Sequence, residues 1–530
     1  MGRIMFSEKA ISAHRQLNRT TVAYPADSSL KELFERCAER FADSDAVIHQ
    51  SQRVSYGVLN GLANSLASML QSGGVQAGSV VGICSDRSPG LIASLIAAVK
   101  CGAAYLPFDP RWPDERLHEL FGQAGCEVLL TDRADCAEAL AERFPRSRVM
   151  SADSVGPSDH KGNPRLRVDP GTIAYINFTS GSTGRPKGVP IEHRSVARLV
   201  FGARYAVLDQ ASRLLQLAPV TFDAATFEIW GALLHGGACV LYPSTRLRFS
   251  ELKRVIEAHG ITVLFLTTAL FNTIVDEAPE TLDGVGRILT GGEAHSLKHI
   301  GKALQQYGTD RVTSVYGPTE CTTFATYHPI RELRVGETAL PIGRPIQNTR
   351  AYVVNENGLC EPGEIGEILL AGPGLSPGYL NHAEATWERF VDLEIDGTAD
   401  RLYRTGDRAL LGDDGELVFQ GRSDDQVKVN GYRIELGEIS HHMDQHEGIR
   451  QSFVTAATNA SEEKSLVAFV VPDNDRCTPA KIREYLQTRL PAYMIPADIR
   501  LRRSLPLSAS GKIDRNALLS LDHFSGEEKS

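Results

Sequence analysis

The residues best suited to chemistry lie in one short loop. The stretch YINFTSGSTGRPKGVPIEHRS (175–195) contains a run of Ser, Thr and Gly residues that is followed by Arg185, Pro186 and Lys187. Glycines let the backbone approach a phosphate closely, hydroxyl and amide groups donate hydrogen bonds to it, and the two cations add positive charge. We name residues 179–188 the hydroxyl-glycine loop and predict that it binds a polyanion, with nucleotide phosphate as the first ligand to consider.

Two other kinds of loop share this composition. A Walker-type phosphate loop requires Gly before its Lys and Ser or Thr after it, whereas Pro186 and Gly188 flank Lys187 in this chain. A Ser/Gly-rich surface linker is the second alternative. Apolar residues flank the loop closely on both sides, namely Ile173, Ile176, Phe178, Val189 and Ile191. This flanking favours a loop embedded in a core over a linker.

Helical patterns and short apolar runs alternate around the loop. Apolar residues at helical spacing predict one helix from Leu30 and another over 91–99 that stops at Gly102. Continuous apolar runs are typical of strands buried on both faces; they are AAYLPFD (103–109), EVLLT (127–131), CVLYP (239–243), ITVLFLT (261–267) and RILTGG (287–292). The sequence therefore predicts an α/β fold, with mainly parallel β-sheets flanked by helices, over roughly the first 400 residues.

The pattern changes after Asp407. The run RALLGDDGELVFQGR (408–422) predicts a hairpin, and residues 421–425 lack an apolar anchor, which is typical of an interdomain hinge. Beyond it, two short strand patterns (451–457 and 465–472) and a helix near 479–489 predict a small α+β domain. The predicted organisation is a large domain over 1–420, a hinge over 421–425 and a small mobile domain over 426–530.

Composition excludes several classes of protein. The 530 residues include 56 basic and 65 acidic side chains, and the resulting net charge of −9 disfavours nonspecific nucleic-acid binding. Nine scattered cysteines without a C-x-x-C pair favour a reducing compartment over a zinc site or a disulfide framework. There is no signal-peptide pattern and no apolar run long enough to span a membrane. We therefore predict a cytoplasmic protein with a small-molecule partner, without nucleic acid or membrane.

Further stretches occur in a characteristic order. They are KCGAAYLPFDPRWPDERL (100–117), FTSGSTGRPKGV (178–189), TFDAATFEIWG (221–231), YGPTE (316–320), GEILLAGPGLSPGYL (366–380), YRTGD (403–407), GRSDDQVKVNGYRIELGEI (421–439), LPAYMIP (490–496) and SGKIDR (510–515). Together they resemble the adenylate-forming superfamily, and most closely the adenylation domains of nonribosomal peptide synthetases, over nearly the whole chain.

The resemblance implies an activity and its cofactors. Such enzymes condense a carboxylate with ATP to an acyl-adenylate and pyrophosphate, and then pass the acyl group to a thiol, often the phosphopantetheine of a carrier protein. Glu320 is expected to bind Mg²⁺, Thr319 to lie near the α-phosphate, Tyr316 to contact adenine and Asp407 to bind the ribose. The other nucleotide-binding residues that the resemblance implies are Thr179, Ser180, Gly181, Ser182, Thr183, Gly184, Lys187, Gly292, Arg422 and Lys428.

Two residues near the end of the chain have implied roles of their own. Lys512 matches the lysine that bridges the substrate carboxylate and the nucleotide, where a cation stabilises the charge that develops at phosphorus. Asp424 matches the position at which the small domain rotates to exchange Lys512 for the carrier arm. Departures from the family pattern at Val58, Ser314 and Ser510 remove no reacting group.

The substrate is predicted from the residues expected to line its pocket. Asp223 matches the acidic residue that binds the ammonium group in amino-acid-activating members; its alternative role is to cap the helix that begins near Ala225. The remaining expected lining consists of Ala224, Phe227, Phe265, Leu289, Gly291, Val315, Thr323 and Phe324. This apolar lining predicts a branched aliphatic α-amino acid, with isoleucine or valine ahead of leucine.

Three hypotheses follow. The first is a stand-alone amino-acid adenylating ligase that uses ATP and Mg²⁺ and acts with a carrier protein in trans; a small MbtH-like activator is a further candidate partner whose need the sequence leaves open. An acyl- or aryl-CoA ligase of the same superfamily is the second, and Asp223 argues against it. A noncatalytic nucleotide-binding scaffold is the third, and the presence of Lys512, Glu320 and Asp407 argues against that.

Overall fold

The structure is a computed structural model. It describes residues 7–156, 162–181, 184–334, 338–395, 397–424, 426–458, 464–474, 477–506 and 513–520. Ser182, Thr183, Asp425 and Lys512, which belong to the predicted site or hinge, lie outside the described residues.

Fifteen α-helices are distributed along the described chain. They are α1 (Glu8–Leu17), α2 (Leu30–Arg40), α3 (Tyr56–Ser72), α4 (Pro89–Lys100), α5 (Asp114–Ala124), α6 (Ala134–Arg143), α7 (His193–Val200), α8 (Ala224–Leu233), α9 (Phe249–His259), α10 (Thr268–Glu277), α11 (Leu297–Tyr307), α12 (Ala383–Arg389), α13 (Leu436–Asp444), α14 (Pro479–Gln487) and α15 (Arg515–Ser520).

The strands fall between them. They are β1 (Asp45–His49), β2 (Gln52–Ser55), β3 (Val80–Ile83), β4 (Ala104–Pro107), β5 (Val128–Thr131), β6 (Arg148–Ser151), β7 (Ile173–Thr179), β8 (Lys187–Glu192), β9 (Arg213–Gln216), β10 (Ala238–Leu241), β11 (Val263–Thr267), β12 (Arg287–Gly291), β13 (Val312–Tyr316), β14 (Thr326–Pro329), β15 (Arg344–Pro345), β16 (Arg350–Asn355), β17 (Gly358–Leu359), β18 (Ile365–Ala371), β19 (Phe390–Ile395), β20 (Thr398–Leu411), β21 (Leu417–Arg422), β22 (Gln426–Val429), β23 (Tyr432–Glu435), β24 (Ile449–Thr458), β25 (Lys464–Pro472) and β26 (Asp498–Leu501).

The chain forms two compact units. Unit 1 comprises Met1–Pro110, Phe121–Phe178 and Gly188–Ser423, and unit 2 comprises Arg111–Leu120, Thr179–Lys187 and Asp424–Ser530. The boundary at Ser423 lies inside the segment predicted as a hinge. Unit 2 also includes the described residues of the hydroxyl-glycine loop up to Lys187, although that loop lies far from the C-terminal segment in the sequence.

Unit 1 is built on three sheets. The first has nine strands in the order β15-β14-β13-β12-β11-β9-β10-β1-β2, and the second has six in the order β6-β5-β3-β4-β7-β8. The third contains β17-β16-β18-β20-β19, with β21 paired to β20. The pairs β11/β12, β12/β13, β3/β4 and β5/β6 are parallel, and helices such as α4 and α8 supply buried side chains that pack on the sheets.

This arrangement confirms the predicted α/β class with a large N-terminal part and a smaller C-terminal part. Each of the continuous apolar runs contains a strand, as expected when both faces of a parallel strand are buried. The helix predicted from Leu30 is α2, and its N-cap Ser29 forms a capping box with Glu32. The helix predicted to stop at Gly102 already ends at Lys100. The hairpin predicted around residues 413–415 is β20–β21, in which Leu411 pairs with Leu417.

Unit 2 has its own small core. The strands β24 and β25 are antiparallel, β26 joins β25 in parallel, and β22 and β23 form a separate hairpin. Apolar residues from these strands, α13 and α14 form one buried cluster that includes Ile434, Ile439, Met443 and Ile482. The predicted α+β character of the C-terminal segment is confirmed.

Candidate active site

Asp223 stands at the start of α8 in unit 1. It occupies the N-cap position, but its side chain makes no capping hydrogen bond to the helix. Its backbone carbonyl accepts a hydrogen bond of 2.9 Å from Thr323 Oγ1, which links α8 to the segment after Glu320. Helix capping, the alternative role for Asp223, therefore does not fix the position of this side chain.

Three phenylalanines predicted to line the pocket lie together. The ring centroids of Phe227 and Phe324 are 5.3 Å apart, and those of Phe265 and Phe324 are 5.7 Å apart. Tyr205, which no sequence motif indicated, contacts both Phe227 at 5.7 Å and Phe324 at 5.5 Å. Tilted and edge-on ring contacts of this kind fix the wall of an apolar pocket.

The strands β11, β12 and β13 bring the rest of the lining into register. Phe265 pairs with Leu289, and Gly291 pairs with Val315. A Cβ at position 291 would lie 2.0 Å from the Val315 carbonyl oxygen, so only glycine fits there. Ala224, Leu289 and Val315 are buried, as expected for an apolar lining.

A polar cluster in unit 1 contains Asp407. The Tyr316 hydroxyl donates to Asp407 Oδ2 over 2.6 Å, and Arg422 donates from Nη1 to Asp407 Oδ1 over 2.5 Å. Burial, together with the Asp407 carboxylate, raises the pKa of Tyr316 well above its ordinary value, so the hydroxyl keeps its proton and stays a donor. Tyr316 is the last residue of β13, and the next residues lead into the turn Thr319–Cys321.

Glu320 lies in that turn and is fully buried. Its Oε1 accepts a hydrogen bond of 2.6 Å from the Tyr379 hydroxyl, and its backbone carbonyl accepts one of 2.8 Å from Ser376 N–H. Thr319 opens the turn and is half-buried, and Gly292 follows β12 with a φ of 97°. Within the described part of the chain, no group of three or more His, Cys, Asp and Glu side chains is placed to hold a metal ion.

Glu228, on α8, is a buried carboxyl inside the stretch TFDAATFEIWG (221–231), and no role was predicted for it. It accepts hydrogen bonds from the backbone N–H groups of Leu217 at 3.1 Å and of Ala218 at 3.1 Å, which ties α8 to the segment after β9. Burial raises its pKa from 4.5 to about 8, against the opposing effects of these N–H groups and of Arg87. The helix that carries Asp223 and Phe227 is thus anchored by a carboxyl that is protonated near neutral pH.

This anchor predicts a pH dependence of stability. Because the folded-state pKa of Glu228 is raised, its protonated form stabilises the fold fully below pH 4.5, and this contribution is lost as the pH rises through about 8. Glu228→Gln removes the titration but keeps an acceptor oxygen. We expect the variant to gain thermal stability relative to the parent protein between pH 5 and pH 9, as measured by Tm in a pH series.

The matched control is Glu39→Gln, which replaces an exposed carboxylate on α2. Its Tm difference from the parent protein should stay flat over the same range. A flat difference for Glu228→Gln as well would contradict the assigned role of the Glu228 proton.

The described part of the hydroxyl-glycine loop contacts the C-terminal segment within unit 2. Ser180 Oγ donates to the Arg433 carbonyl oxygen over 2.8 Å and accepts from Glu435 N–H over 2.9 Å. The Gly181 N–H donates to Glu438 Oε2 over 3.0 Å, and Arg116 forms an ion pair with the other oxygen of Glu438. The fully buried Glu438 carboxylate thus accepts a hydrogen bond from a backbone amide of the loop that is predicted to bind phosphate.

The other predicted residues of unit 2 lie around these contacts. Thr179 ends β7, and its Oγ1 is buried without a hydrogen-bond partner among the residues that the structure describes. Lys187 begins β8 and is buried, and Gly184 lies against His441 with a φ of 83°. Lys428 pairs with Arg433 in the β22–β23 hairpin, and Asp424 begins the C-terminal segment of the unit.

Several contact residues could not be found from the sequence, for one reason. Tyr205, Tyr379, Arg116 and Glu438 are distant in sequence from the groups they contact. Glu438 and Arg116 stand inside stretches that were recognised, but nothing in one sequence pairs them.

No helix among the described residues is both long and apolar enough to cross a membrane.

Two protein-family models match the chain. One is described as AMP-binding enzyme and matches residues 34–380; the other is described as AMP-binding enzyme C-terminal domain and matches residues 438–512. The first match covers more than half of the chain, and the two matches occur in the order expected from the motifs. The chain belongs to the AMP-binding enzyme family.

Its relatives narrow this class. The chain is 40% identical over 517 residues to one of the linear gramicidin synthase proteins of Brevibacillus parabrevis, covering 97% of this chain and 7% of that protein. It is 38% identical over 518 residues to a surfactin synthase protein of Bacillus subtilis (strain 168), covering 97% of this chain and 14% of that protein. The chain thus spans a small part of either synthase.

A solved structure gives the same result. The structure of PA1221, described as a nonribosomal peptide synthetase protein containing adenylation and PCP domains, has a TM-score of 0.86 at 33% identity, covering 94% of this chain and 84% of that chain. The predicted similarity to adenylation domains of nonribosomal peptide synthetases is therefore confirmed. The chain is an AMP-forming ligase of the amino-acid-activating kind.

Proposed function

We propose that this chain activates a branched aliphatic α-amino acid, isoleucine or valine, and loads it onto a carrier protein. The substrate carboxylate attacks the α-phosphorus of ATP, which forms aminoacyl-AMP and releases pyrophosphate. The thiol of a phosphopantetheine arm then attacks the acyl carbon, which forms the thioester and releases AMP. The observation that carries the proposal is the position of Asp223 beside an aromatic pocket wall.

Asp223 supports an amino acid as the substrate. A carboxylate that does not cap its own helix can accept from a substrate ammonium. Because a partly buried carboxylate that faces a substrate without an ammonium loses its partner at a cost in binding free energy, such a site disfavours acids that lack the amine. Thr323 fixes the Asp223 backbone, and Thr323 and Phe324 belong to one segment, so the ammonium-binding group and the side-chain pocket are joined.

The lining supports an aliphatic side chain. Phe227 and Phe265 each contact Phe324, and the three rings reduce the room for another ring, while Leu289 and Val315 present aliphatic surface. Thr323, a predicted lining residue with a hydroxyl, donates that hydroxyl to the Asp223 carbonyl oxygen. Because this hydroxyl already donates its hydrogen bond to the protein backbone, it is not available as a donor to a polar substrate side chain.

Each unit, taken by itself, contains residues whose chemistry suits ATP or Mg²⁺. The buried Thr179 hydroxyl suits a phosphate oxygen, and the Asp407 carboxylate, oriented by Tyr316 and Arg422, suits the two hydroxyls of a ribose. The buried Glu320 carboxylate is an oxygen ligand of the kind that a hard cation prefers. Mg²⁺ held there with phosphate oxygens would neutralise charge at the leaving pyrophosphate. We assign Lys512 to the substrate carboxylate on the basis of the motif resemblance alone.

A carrier protein in trans supplies the thiol in this proposal. PA1221 is described as containing both adenylation and PCP domains, and its structure is similar to this chain. We propose that Asp424 and its neighbours provide the hinge for the second half-reaction. The chain boundary between the two compact units at Ser423 supports this position.

A substrate panel tests the proposed function. Amino-acid-dependent exchange of pyrophosphate into ATP should be fastest with isoleucine or valine, slower with leucine, and at background with charged or aromatic amino acids. Since one methylene is worth about 1 to 3 kcal/mol, valine and isoleucine, which differ by one methylene, should differ by roughly 10- to 200-fold. The same panel should include the corresponding acids without the amine, and each assay should be repeated with an MbtH-like protein. Fastest exchange with an amine-free acid would contradict the proposal.

A further inference from the structure

Arg198 is a buried cation that the proposed mechanism does not use. It lies on α7, its exposed fraction is 0%, and its guanidinium contacts a segment more than 120 residues away in the sequence. Nη1 donates to the Phe324 carbonyl oxygen over 2.8 Å, and Nη2 donates to the Cys321 carbonyl oxygen over 2.5 Å. One rigid group therefore holds two backbone carbonyls of the same short segment.

The segment between those carbonyls has an unusual backbone. Thr322 and Thr323 have φ values of 52° and 68°, so two successive residues that carry a Cβ adopt the left-handed region. Residues of this kind persist in that region only where their surroundings determine them. The Thr322 hydroxyl donates to the Gly374 carbonyl oxygen over 2.8 Å, and Arg198 supplies two further restraints.

The restrained segment joins two parts of the proposed site. At one end Glu320, the carboxylate assigned to Mg²⁺, immediately precedes Cys321. At the other end Thr323 bonds to Asp223, and Phe324 contacts the rings of Phe227 and Phe265. A displacement of this backbone would move the pocket wall and the metal-binding carboxylate together.

Gly374 shows how closely the guanidinium is enclosed. A Cβ at position 374 would lie 1.5 Å from Arg198 Nη2, so any side chain there would displace the guanidinium. Ser195, on the same helix as Arg198, donates from Oγ to the adjacent Pro373 carbonyl oxygen over 2.7 Å. The position of the guanidinium is thus fixed from both sides.

We infer that Arg198 is a positioning residue for amino-acid adenylation, which sets the pocket wall at Thr323–Phe324 and the Glu320 carboxylate through the carbonyls of residues 321 and 324. The inference rests on the proposed function and extends it to a residue outside the nucleotide-binding and substrate-lining sets. A lysine ammonium carries the same charge but lacks the planar fork that reaches two carbonyls at once.

The test is Arg198→Lys in the full chain, assayed by pyrophosphate exchange. We expect the KM for the preferred amino acid to rise about tenfold or more, because a displacement of about 1 Å at a site can cost up to about a hundredfold. Preference among the branched amino acids should weaken, and the Mg²⁺ concentration for half-maximal rate should rise. These readouts separate positioning from a loss of fold stability, which Tm measures.

Arg311→Lys is the matched control. Arg311 also holds backbone carbonyls, those of Val285 at 3.2 Å and Leu282 at 3.4 Å, but in a part of unit 1 outside the candidate site. Its replacement should lower Tm and leave the KM and the amino-acid preference unchanged. If Arg198→Lys fails to fold, Gly374→Ala displaces the same guanidinium while keeping the arginine, and it should produce the same changes in KM and preference.

Different results of these assays would overturn the role of Arg198 and the proposed function. If the parent protein is active, and a folded Arg198→Lys or Gly374→Ala variant differs from it less than twofold in KM and in amino-acid preference, the positioning role alone is overturned. A parent protein without exchange on any amino acid would overturn the proposed function and this inference together.

Discussion

Replacing Asp223 by alanine is expected to lower kcat/KM for the preferred amino acid by roughly 10²- to 10³-fold, because breaking a buried ion pair costs about 3 to 5 kcal/mol and the lower part of that range applies to the half-buried Asp223. The substrate ammonium would enter the pocket without its carboxylate. The preference for the amino acid over the corresponding acid without an amine should collapse in the same variant. Pyrophosphate exchange measured with both substrates gives the two numbers.

Thermal stability separates this role from helix capping. The Asp223 side chain makes no capping hydrogen bond, so Asp223→Ala should change Tm little. Ser29→Ala is the matched control, because Ser29 Oγ accepts from Glu32 N–H at 3.3 Å and caps α2. That control should cost about 1 kcal/mol of stability without altering the substrate profile. A Tm loss in Asp223→Ala with an unchanged profile would restore the capping interpretation.

Replacing Lys512 by alanine is expected to lower the adenylation rate by about 10²- to 10³-fold, which is the usual effect of removing one group that stabilises transition-state charge. The resemblance of SGKIDR (510–515) to the family motif is the basis for this expectation. ATP binding should remain close to that of the parent protein, because the assigned phosphate, ribose and metal groups are other residues. Pyrophosphate exchange and calorimetric titration with ATP measure the two effects.

The control for this substitution is Lys298→Ala, which removes an exposed lysine from α11. It should leave both the exchange rate and ATP binding unchanged. An exchange rate near that of the parent protein in Lys512→Ala would contradict the assignment of this lysine to the reaction.

Much of unit 1 could be predicted because its signals are local. A strand buried on both faces is read directly from a run such as ITVLFLT (261–267), and the helix from Leu30 is read from the helical spacing of its apolar residues. The order of strands in each sheet is not local. The nine-stranded sheet places β10 between β9 and β1, and β1 is far from both in the chain, so nothing in the single sequence specifies that neighbour.

The same limit applies to the site. The motifs identified Glu320 and Asp407, because their residue types stand in recognisable stretches. The tyrosine that orients Glu320 belongs to a different motif stretch (366–380), the arginine that holds Phe324 lies outside the motif stretches, and nothing in the single sequence pairs either residue with its partner. From a single sequence it is easier to predict the candidate site residues than to predict the residues that hold them in place.

The contact between Glu438 and Gly181 N–H has a consequence for measured ATP affinity. A phosphate oxygen and a carboxylate oxygen cannot share that amide in the same place, so a nucleotide that uses Gly181 must first release the carboxylate. The apparent dissociation constant then equals the intrinsic value divided by the fraction of molecules in which the amide is free. On the proposal that nucleotide phosphate binds the Gly181 N–H, Glu438 acts as an internal competitor, and ATP binding measured on the isolated protein would include the free energy needed to displace its carboxylate.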